Sequence, residues 1–321
     1  NSPQALRYAV ECRQLQWQRV MAFNRMGAKP LPAEPVESLR GEYDAEPSLP
    51  FELQFINERT LRLRLRPVPQ RPERPDADSL MLDGPPRIVP GAWRHESTPW
   101  GHRFTSPAGR VDLHADPWRI DLFDPAGRPL TGTRHPDDAQ TTLSPLLPFG
   151  YLRRAADYAR RMHAAFALAP GERIYGCGES FTALDKRGQS VVLFSVDANG
   201  AETDKMYKPI PFFLSDRGYA MFVHTAAPVT CDFGRAFSGS TAVMTGDGEL
   251  DLFIFLGDPK AVLGAYTDLT GRSPLPPLWS FGLWMSRITY TSEVETRDVA
   301  AALRRHRIPS DVIHLDTGWF E

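Results

Sequence analysis

The stretch SFGLWMSRITYTSEVETRDVAAALRRHRIPSDVIHLD, Ser280 to Asp316, decides how the chain is read. SFGLWM (280–285) is an apolar run of strand length, and SDVIHLD carries a second, with Val312, Ile313 and Leu315 as its buried residues. Between them, Ser292 followed three residues on by Glu295 has the form of a capping box. Val294, Val299, Ala302, Leu303 and His306 then fall on one helical face, and Pro309 ends the helix. Strand, helix and strand in this order predict a right-handed βαβ crossover with parallel pairing. A parallel sheet needs both faces covered. The unit therefore reads as the opening of a βα-repeat domain whose remainder is missing.

Upstream the pattern changes. Pro274, Pro276 and Pro277 make a stiff linker. Before it, TLRLRLRP (Thr60–Pro67) alternates Leu with Arg, and WRIDLFD (Trp118–Asp124) alternates apolar with polar residues. ELDLFIFLG (Glu249–Gly257) does so with more burial, and LDGPP, SPAGR, DPAGRP and GDGE read as turns between such runs. Many short strands between Gly and Pro turns mean a β-sandwich or barrel. The 30 prolines fit that architecture better than a helical bundle, because interior helical proline costs about 3 kcal/mol. In LRRAADYARRMHAAFAL (Leu152–Leu168) composition favours helix and context favours strand, and strand is expected after Tyr158. In the first 35 residues, Leu6, Val10, Leu15, Trp17, Val20, Met21 and Phe23 are spaced for a helix running into AKPLPAEP.

A length of 321 residues allows one large domain or two ordinary ones, and a net charge of -2 gives no attraction for nucleic acid or an anionic membrane. Hydrophobic residues make up 42%, enough for a sizeable core. No run approaches the roughly 18 uninterrupted apolar residues of a spanning helix. Cys12, Cys177 and Cys231 are too widely spaced for a disulfide framework or zinc cluster, so reduced buried thiols in a cytoplasmic protein are expected. The start, NSPQALRYAV, has no Met, basic n-region or apolar h-region. With the abrupt C-terminus, this predicts a piece of a longer polypeptide.

In parallel α/β architectures ligands meet the carboxyl ends of the strands, which makes Asp316 a candidate. A helix N-cap or loop carboxylate is the alternative for it. Trp319 and Phe320 beside it suit stacking on the apolar faces of a sugar; packing under a barrel rim would explain them as well. SVDANGAETDK, around Asp197, is by composition a surface loop. YGCGE lacks the third glycine and following helix of a dinucleotide loop, and the eight histidines show no paired ligand spacing. There is no GxSxG elbow. His224 and His314 lie inside apolar runs, as satisfied core histidines do.

ERIYGCGESFTALDKRGQ, YKPIPFFLSDRGYAMFVHT, AYTDLTGRSPLPPLWSFGLWMSR and IPSDVIHLDTGWF, in this order, resemble glycoside hydrolase family 31, the α-glucosidase and α-xylosidase family. The matching stretches cover about half of the chain, from Leu168 onward. The resemblance implies a mainly β fold: a galactose-mutarotase-like β-sandwich over residues 1–273, then the truncated start of a (β/α)8 catalytic barrel over 274–321. It implies that Asp316 hydrogen-bonds sugar hydroxyls in the −1 subsite, that Asp197 reaches over the barrel mouth, and that Trp284 and Tyr290 line the pocket. The spacing around Tyr290 departs from the family pattern. The family is a retaining one whose two catalytic carboxylates, a nucleophile in a Trp-x-Asp-Met-Asn-Glu-like motif and an acid/base, are expected downstream of residue 321. No such motif occurs here, so the fragment itself is expected to be inactive. Within the family, α-xylosidase or α-glucosidase activity is expected, without metal or cofactor; sulfoquinovosidase and transglycosylase activities also occur. The expected partner is an oligosaccharide or small α-glycoside, with a homo-oligomer left open. The competing reading is a non-catalytic carbohydrate-binding β-sandwich. An aldose epimerase would need a catalytic His and Glu pair in the sandwich cleft, and no convincing pair is present.

Overall fold

The computed structural model describes residues 5–11, 48–65, 76, 79–115, 118–133, 148–153, 160–197, 204 and 207–319. Its strands, in chain order, begin with β1 (Ala5–Glu11), β2 (Ser48–Phe55), β3 (Thr60–Leu65), β4 (Arg94–Thr98), β5 (Gly101–Ser106) and β6 (Gly109–Ala115). There follow β7 (Trp118–Phe123), β8 (Pro129–Gly132), β9 (Phe149–Arg153), β10 (Arg160–Ala167), β11 (Ile174–Gly178) and β12 (Ser190–Leu193). The rest are β13 (Pro209–Ser215), β14 (Tyr219–Val223), β15 (Val229–Phe233), β16 (Ser240–Thr245), β17 (Leu250–Leu256), β18 (Trp284–Arg287) and β19 (Val312–Leu315). The helices are α1 (Pro259–Thr270) and α2 (Glu293–Arg305). Two compact units result, Asn1–Gly271 and Arg272–Glu321.

The first unit is built from three antiparallel sheets. A seven-stranded sheet has the order β1-β2-β3-β17-β14-β13-β11, a five-stranded one β12-β15-β16-β10-β9, and a second five-stranded one β4-β5-β6-β7-β8. Period-two alternation explains which side chains turn inward. Leu61, Leu63 and Leu65 of the Leu-Arg run join one core with Phe166, Val243 and Cys231 of the first five-stranded sheet and Phe104, Val111 and Leu122 of the second.

β17 is buried on both faces, which is why its sequence is nearly continuous in apolar residues. Leu252, Ile254 and Leu256 face that core, whereas Phe253 and Phe255 face a second one with Phe212, Phe222 and α1. α1 starts where Asp258 accepts the Ala261 N–H at 2.9 Å and Pro259 sets the first turn. Val262, Ala265 and Leu269 are its buried stripe.

Arg62 and Arg64 of the Leu-Arg run do not face water. Arg62 is 2% exposed and lies with its guanidinium 4.7 Å from the Phe253 ring centre. It donates to both oxygens of Asp251 at 2.8 and 2.6 Å and to both of Asp76 at 2.7 Å. His224 joins the network: its Nδ1 lies 2.8 Å from Asp251 Oδ2 and its Nε2 2.6 Å from Ser79 Oγ. His224 is thus a satisfied core histidine. His314 is not; it is exposed, with Nδ1 2.8 Å from Ser286 Oγ.

The N-terminal region corrects a further expectation. Residues 5–11 form an edge strand and no helix: β1 pairs antiparallel with β2, setting Leu6 against Leu53 and Tyr8 against Phe51. Leu6, Tyr8 and Val10 alternate with a period of two, whereas only Leu6 and Val10 share a helical face, and a free sheet edge decides between the two. The other residues of that expected helix, 12–35, lie outside the described ones. LRRAADYARRMHAAFAL does contain strand after Tyr158, as β10 paired with β9.

In the second unit β18 and β19 pair in parallel around α2, as their spacing predicts. β18, however, starts at Trp284 and not at Ser280, because Leu278–Phe281 form a 3-10 turn closed by the Gly282 N–H to the Trp279 carbonyl at 3.0 Å. The expected burial of these strands is also not met. Val312 and Ile313 are half-buried, Leu315 is 43% exposed, and Val294 and His306 of α2 are exposed. One strand pair and one helix cannot cover both faces of a parallel sheet.

Candidate functional site

Parallel register sets Arg287 against Leu315, so the carboxyl ends of β18 and β19 lie side by side. The segments leaving this edge are tied together, since the Gly318 N–H donates to the Ile288 carbonyl at 2.8 Å. Asp316 is half-buried between them. Its Oδ1 accepts the Thr317 N–H at 2.7 Å and its carbonyl accepts the Trp319 N–H at 3.2 Å, which caps the 3-10 turn Thr317–Trp319. Oδ2 has no hydrogen-bond partner among the described residues. One oxygen therefore serves the capping role and the other is available to a ligand.

Tyr290 is only 4% exposed, and its hydroxyl finds no partner among the described residues. A buried polar atom left in this state is costly unless something else completes it. The Arg287 guanidinium stands 5.2 Å from the Tyr290 ring centre and forms an ion pair with Glu295. Glu295 also accepts from the Thr291 N–H at 2.9 Å and its hydroxyl at 3.0 Å. These bonds, from the Thr291 backbone first and then its hydroxyl and Arg287, hold the Glu295 carboxyl below its usual range. The capping box is thus half formed. Ser292 Oγ accepts the Glu295 N–H at 3.2 Å, but the Glu295 carboxylate reaches Thr291.

Trp319 follows on the same edge and is 53% exposed. Asp316, Tyr290 and Trp319 are therefore brought together by the strand ends. Trp284 is not: it opens β18 opposite Val312, and its Nε1 donates to the Ser280 carbonyl at 3.0 Å. Three residue steps put it about 10 Å from the carboxyl edge. Asp197 belongs to the other unit, where it is exposed and accepts a hydrogen bond from the Tyr207 hydroxyl, which raises the Tyr207 pKa. Ser195 Oγ fixes the same loop base by donating to the Tyr207 carbonyl at 3.0 Å. Phe320 and residues 198–203 lie outside the described ones. Sequence reading missed Arg287, although the rule that singles out Asp316 applies to it: it ends the first parallel strand. Among the described residues no group of three or more His, Cys, Asp or Glu is placed to hold a metal ion, and no helix is long and apolar enough to cross a membrane.

Residues 50–232 match the glycosyl hydrolase 31 N-terminal galactose mutarotase-like domain, and residues 273–321 match the TIM-barrel domain of glycosyl hydrolases family 31. Among curated relatives, α-glucosidase 2 of Bacillus thermoamyloliquefaciens is 33% identical over 66% of this chain and 26% of its own length. The α-xylosidase of Lactiplantibacillus pentosus is 37% identical over 49% of this chain and 21% of its own. The chain thus spans about a quarter of the length of the relatives it matches. Among solved structures, a Flavobacterium johnsoniae dextranase complexed with isomaltotriose superposes with a TM-score of 0.72 at 22% identity, over 85% of this chain and 32% of that one. At this identity the superposition speaks for the fold.

Proposed function

The chain belongs to glycoside hydrolase family 31, and from that membership we propose that the complete enzyme hydrolyses α-xylosidic or α-glucosidic bonds with retention of configuration. Residues 1–273 are its N-terminal β-sandwich and residues 274–321 the first two strands of its barrel. The observation that carries the site reading is Asp316 Oδ2, a carboxylate oxygen at the end of the second strand with no partner among the described residues. It accepts hydrogen bonds from hydroxyls of the sugar in the −1 subsite, and these strengthen as positive charge develops on the sugar ring. Tyr290 and Trp319 line the same pocket, the first offering its unpaired hydroxyl and the second an apolar face. Trp284 supports the base of the first strand.

Retaining hydrolysis needs two further carboxylates about 5–5.5 Å apart, a nucleophile and an acid/base. Later strands of the family barrel supply both, and Asp316 is neither. The free thiols of Cys177 and Cys231 support a reducing compartment, the cytoplasm.

Steady-state assay of the complete enzyme with aryl α-xyloside and aryl α-glucoside tests the substrate class. Turnover of at least one is expected, and equal inactivity on both removes the proposal. Gly318 provides a second test. A Cβ there would overlap the Ile288 carbonyl oxygen and come within 2.8 Å of Thr289 Cγ2. Gly318→Ala must therefore push the two loops apart, at about 1–3 kcal/mol of strain. A fall in kcat/KM of roughly tenfold is expected from the displaced Asp316; unaltered kinetics would separate this turn from the site.

A further inference from the structure

β18 and β19 each present alternate residues to the two faces of their parallel pair. Trp284 and Ser286 share a face, and register sets them against Val312 and His314. The side-chain contacts agree with that register. His314 Nδ1 lies 2.8 Å from Ser286 Oγ, and the Trp284 and His314 ring centres are 6.4 Å apart. Carried one residue past the end of β19, the alternation puts Asp316 on this face as well.

Met285, Arg287, Ile313 and Leu315 take the other face. There Arg287 forms its ion pair with Glu295 in the first turn of α2, and Met285 and Ile313 are half-buried. Trp284, Ser286 and His314 are exposed. In a (β/α)8 barrel the helices form the outer ring, so the face turned away from α2 is the one that looks into the barrel. Two residue steps place Ser286 and His314 about 7 Å below the level of Asp316.

The His314 ring has one nitrogen engaged and one free. Nδ1 meets Ser286, whereas Nε2 has no partner among the described residues. A neutral imidazole carries one donor and one acceptor nitrogen. With the Ser286 hydroxyl donating to Nδ1, the ring proton is assigned to Nε2, which then presents an N–H donor on the interior face. Above it, Asp316 Oδ2 is an acceptor. Hydroxyls both donate and accept, so a sugar lying between the two levels can donate to Asp316 and accept from His314.

We propose that His314 is a further substrate-binding residue, the floor of the sugar pocket, and that its Nε2–H donates to one hydroxyl of the bound sugar. Ser286 is a positioning residue: it acts through the imidazole by fixing the tautomer and the ring orientation. The proposal rests on the reading of Asp316 as a −1 subsite residue.

The test measures kcat/KM of the complete enzyme for the aryl α-glycoside that it turns over and for each monodeoxy form of that glycoside. His314→Phe keeps a ring and removes both nitrogens. It should lower kcat/KM about tenfold on the parent substrate, with no effect on the deoxy form that lacks the partner hydroxyl. His314→Gln, whose amide nitrogen falls near the position of Nε2, should recover most of the loss. Ser286→Ala should cost about threefold alone and nothing further when combined with His314→Phe. An equal loss on every deoxy substrate, no loss on the parent substrate, or a His314→Gln variant that melts like the parent enzyme yet stays as impaired as His314→Phe would each overturn the proposal. Asp316→Ala, assayed in parallel, keeps the two readings apart. A fall there with His314→Phe silent removes the floor alone, whereas silence of both variants removes the subsite reading with it.

Discussion

Replacing Asp316 by Ala in the complete enzyme is expected to lower kcat/KM for an aryl α-glycoside by about 100- to 1000-fold. A carboxylate that accepts from sugar hydroxyls contributes about 1.5–3 kcal/mol per bond, and most of that must be expressed in the transition state to affect turnover. The substitution leaves little else to repair. Within the chain the carboxylate is bonded at Oδ1 to the Thr317 N–H, at the end of a half-exposed strand pair. Asp316→Asn separates the two roles of the side chain. It keeps an acceptor for Thr317 but loses the charge, so an intermediate fall in kcat is expected together with an unaltered melting temperature. If Asp316 only capped its turn, Asp316→Ala would lower stability and neither variant would change kcat.

The second large effect is on stability. Arg62→Met removes a guanidinium that neutralises two carboxylates in a nearly dry site, where Asp251 is 11% and Asp76 20% exposed at the side chain. Breaking such a group by deleting one partner costs about 3–5 kcal/mol. The two aspartates are then left with Arg64 alone of the two guanidinium groups, 3.1 Å from Asp76 and 3.7 Å from Asp251. The pH dependence should change with it. Burial would raise the Asp251 pKa, but hydrogen bonds from Arg62 and His224 outweigh burial and bring it down from 3.8 to about 2. Because the folded value lies below the unfolded one, this stabilisation is fully present above pH 3.8 and is lost as pH falls toward about 2. The size of that loss is about 2–3 kcal/mol. Chemical denaturation of parent and variant at neutral pH and across pH 4 to 2 measures both effects. The variant should be weaker throughout and show a shallower acid slope. A variant within about 1 kcal/mol of the parent, a size ordinary for exposed pairs, would show that the network contributes no more than a surface one.

Arg62 also shows where sequence reading stops. Alternation in TLRLRLRP correctly turns Leu61, Leu63 and Leu65 into the core. It says nothing of the other face, where Arg62 meets Asp76 and Asp251, partners visible only once the chain is packed. β17 was legible because both faces are apolar. β1 was not, because Leu6 and Val10 also fit the helical spacing of the residues after them and the choice lies with a neighbouring edge.

The strand–helix–strand unit was legible in kind, from Ser292, the apolar runs and Pro309. Its burial was not, since burial depends on what surrounds it. Asp316 was singled out by its place after a strand. The bonding of its Oδ1 to Thr317, the lack of a partner for the Tyr290 hydroxyl among the described residues and the place of Trp284 at the far end of β18 depend on backbone geometry that spacing does not encode.

The central claim is that these residues furnish part of the −1 subsite of a retaining α-glycosidase. Proton NMR of the first sugar released from an aryl α-glycoside by the complete enzyme tests it most directly. The α-anomer should appear first and mutarotate afterwards; initial release of the β-anomer would contradict the account.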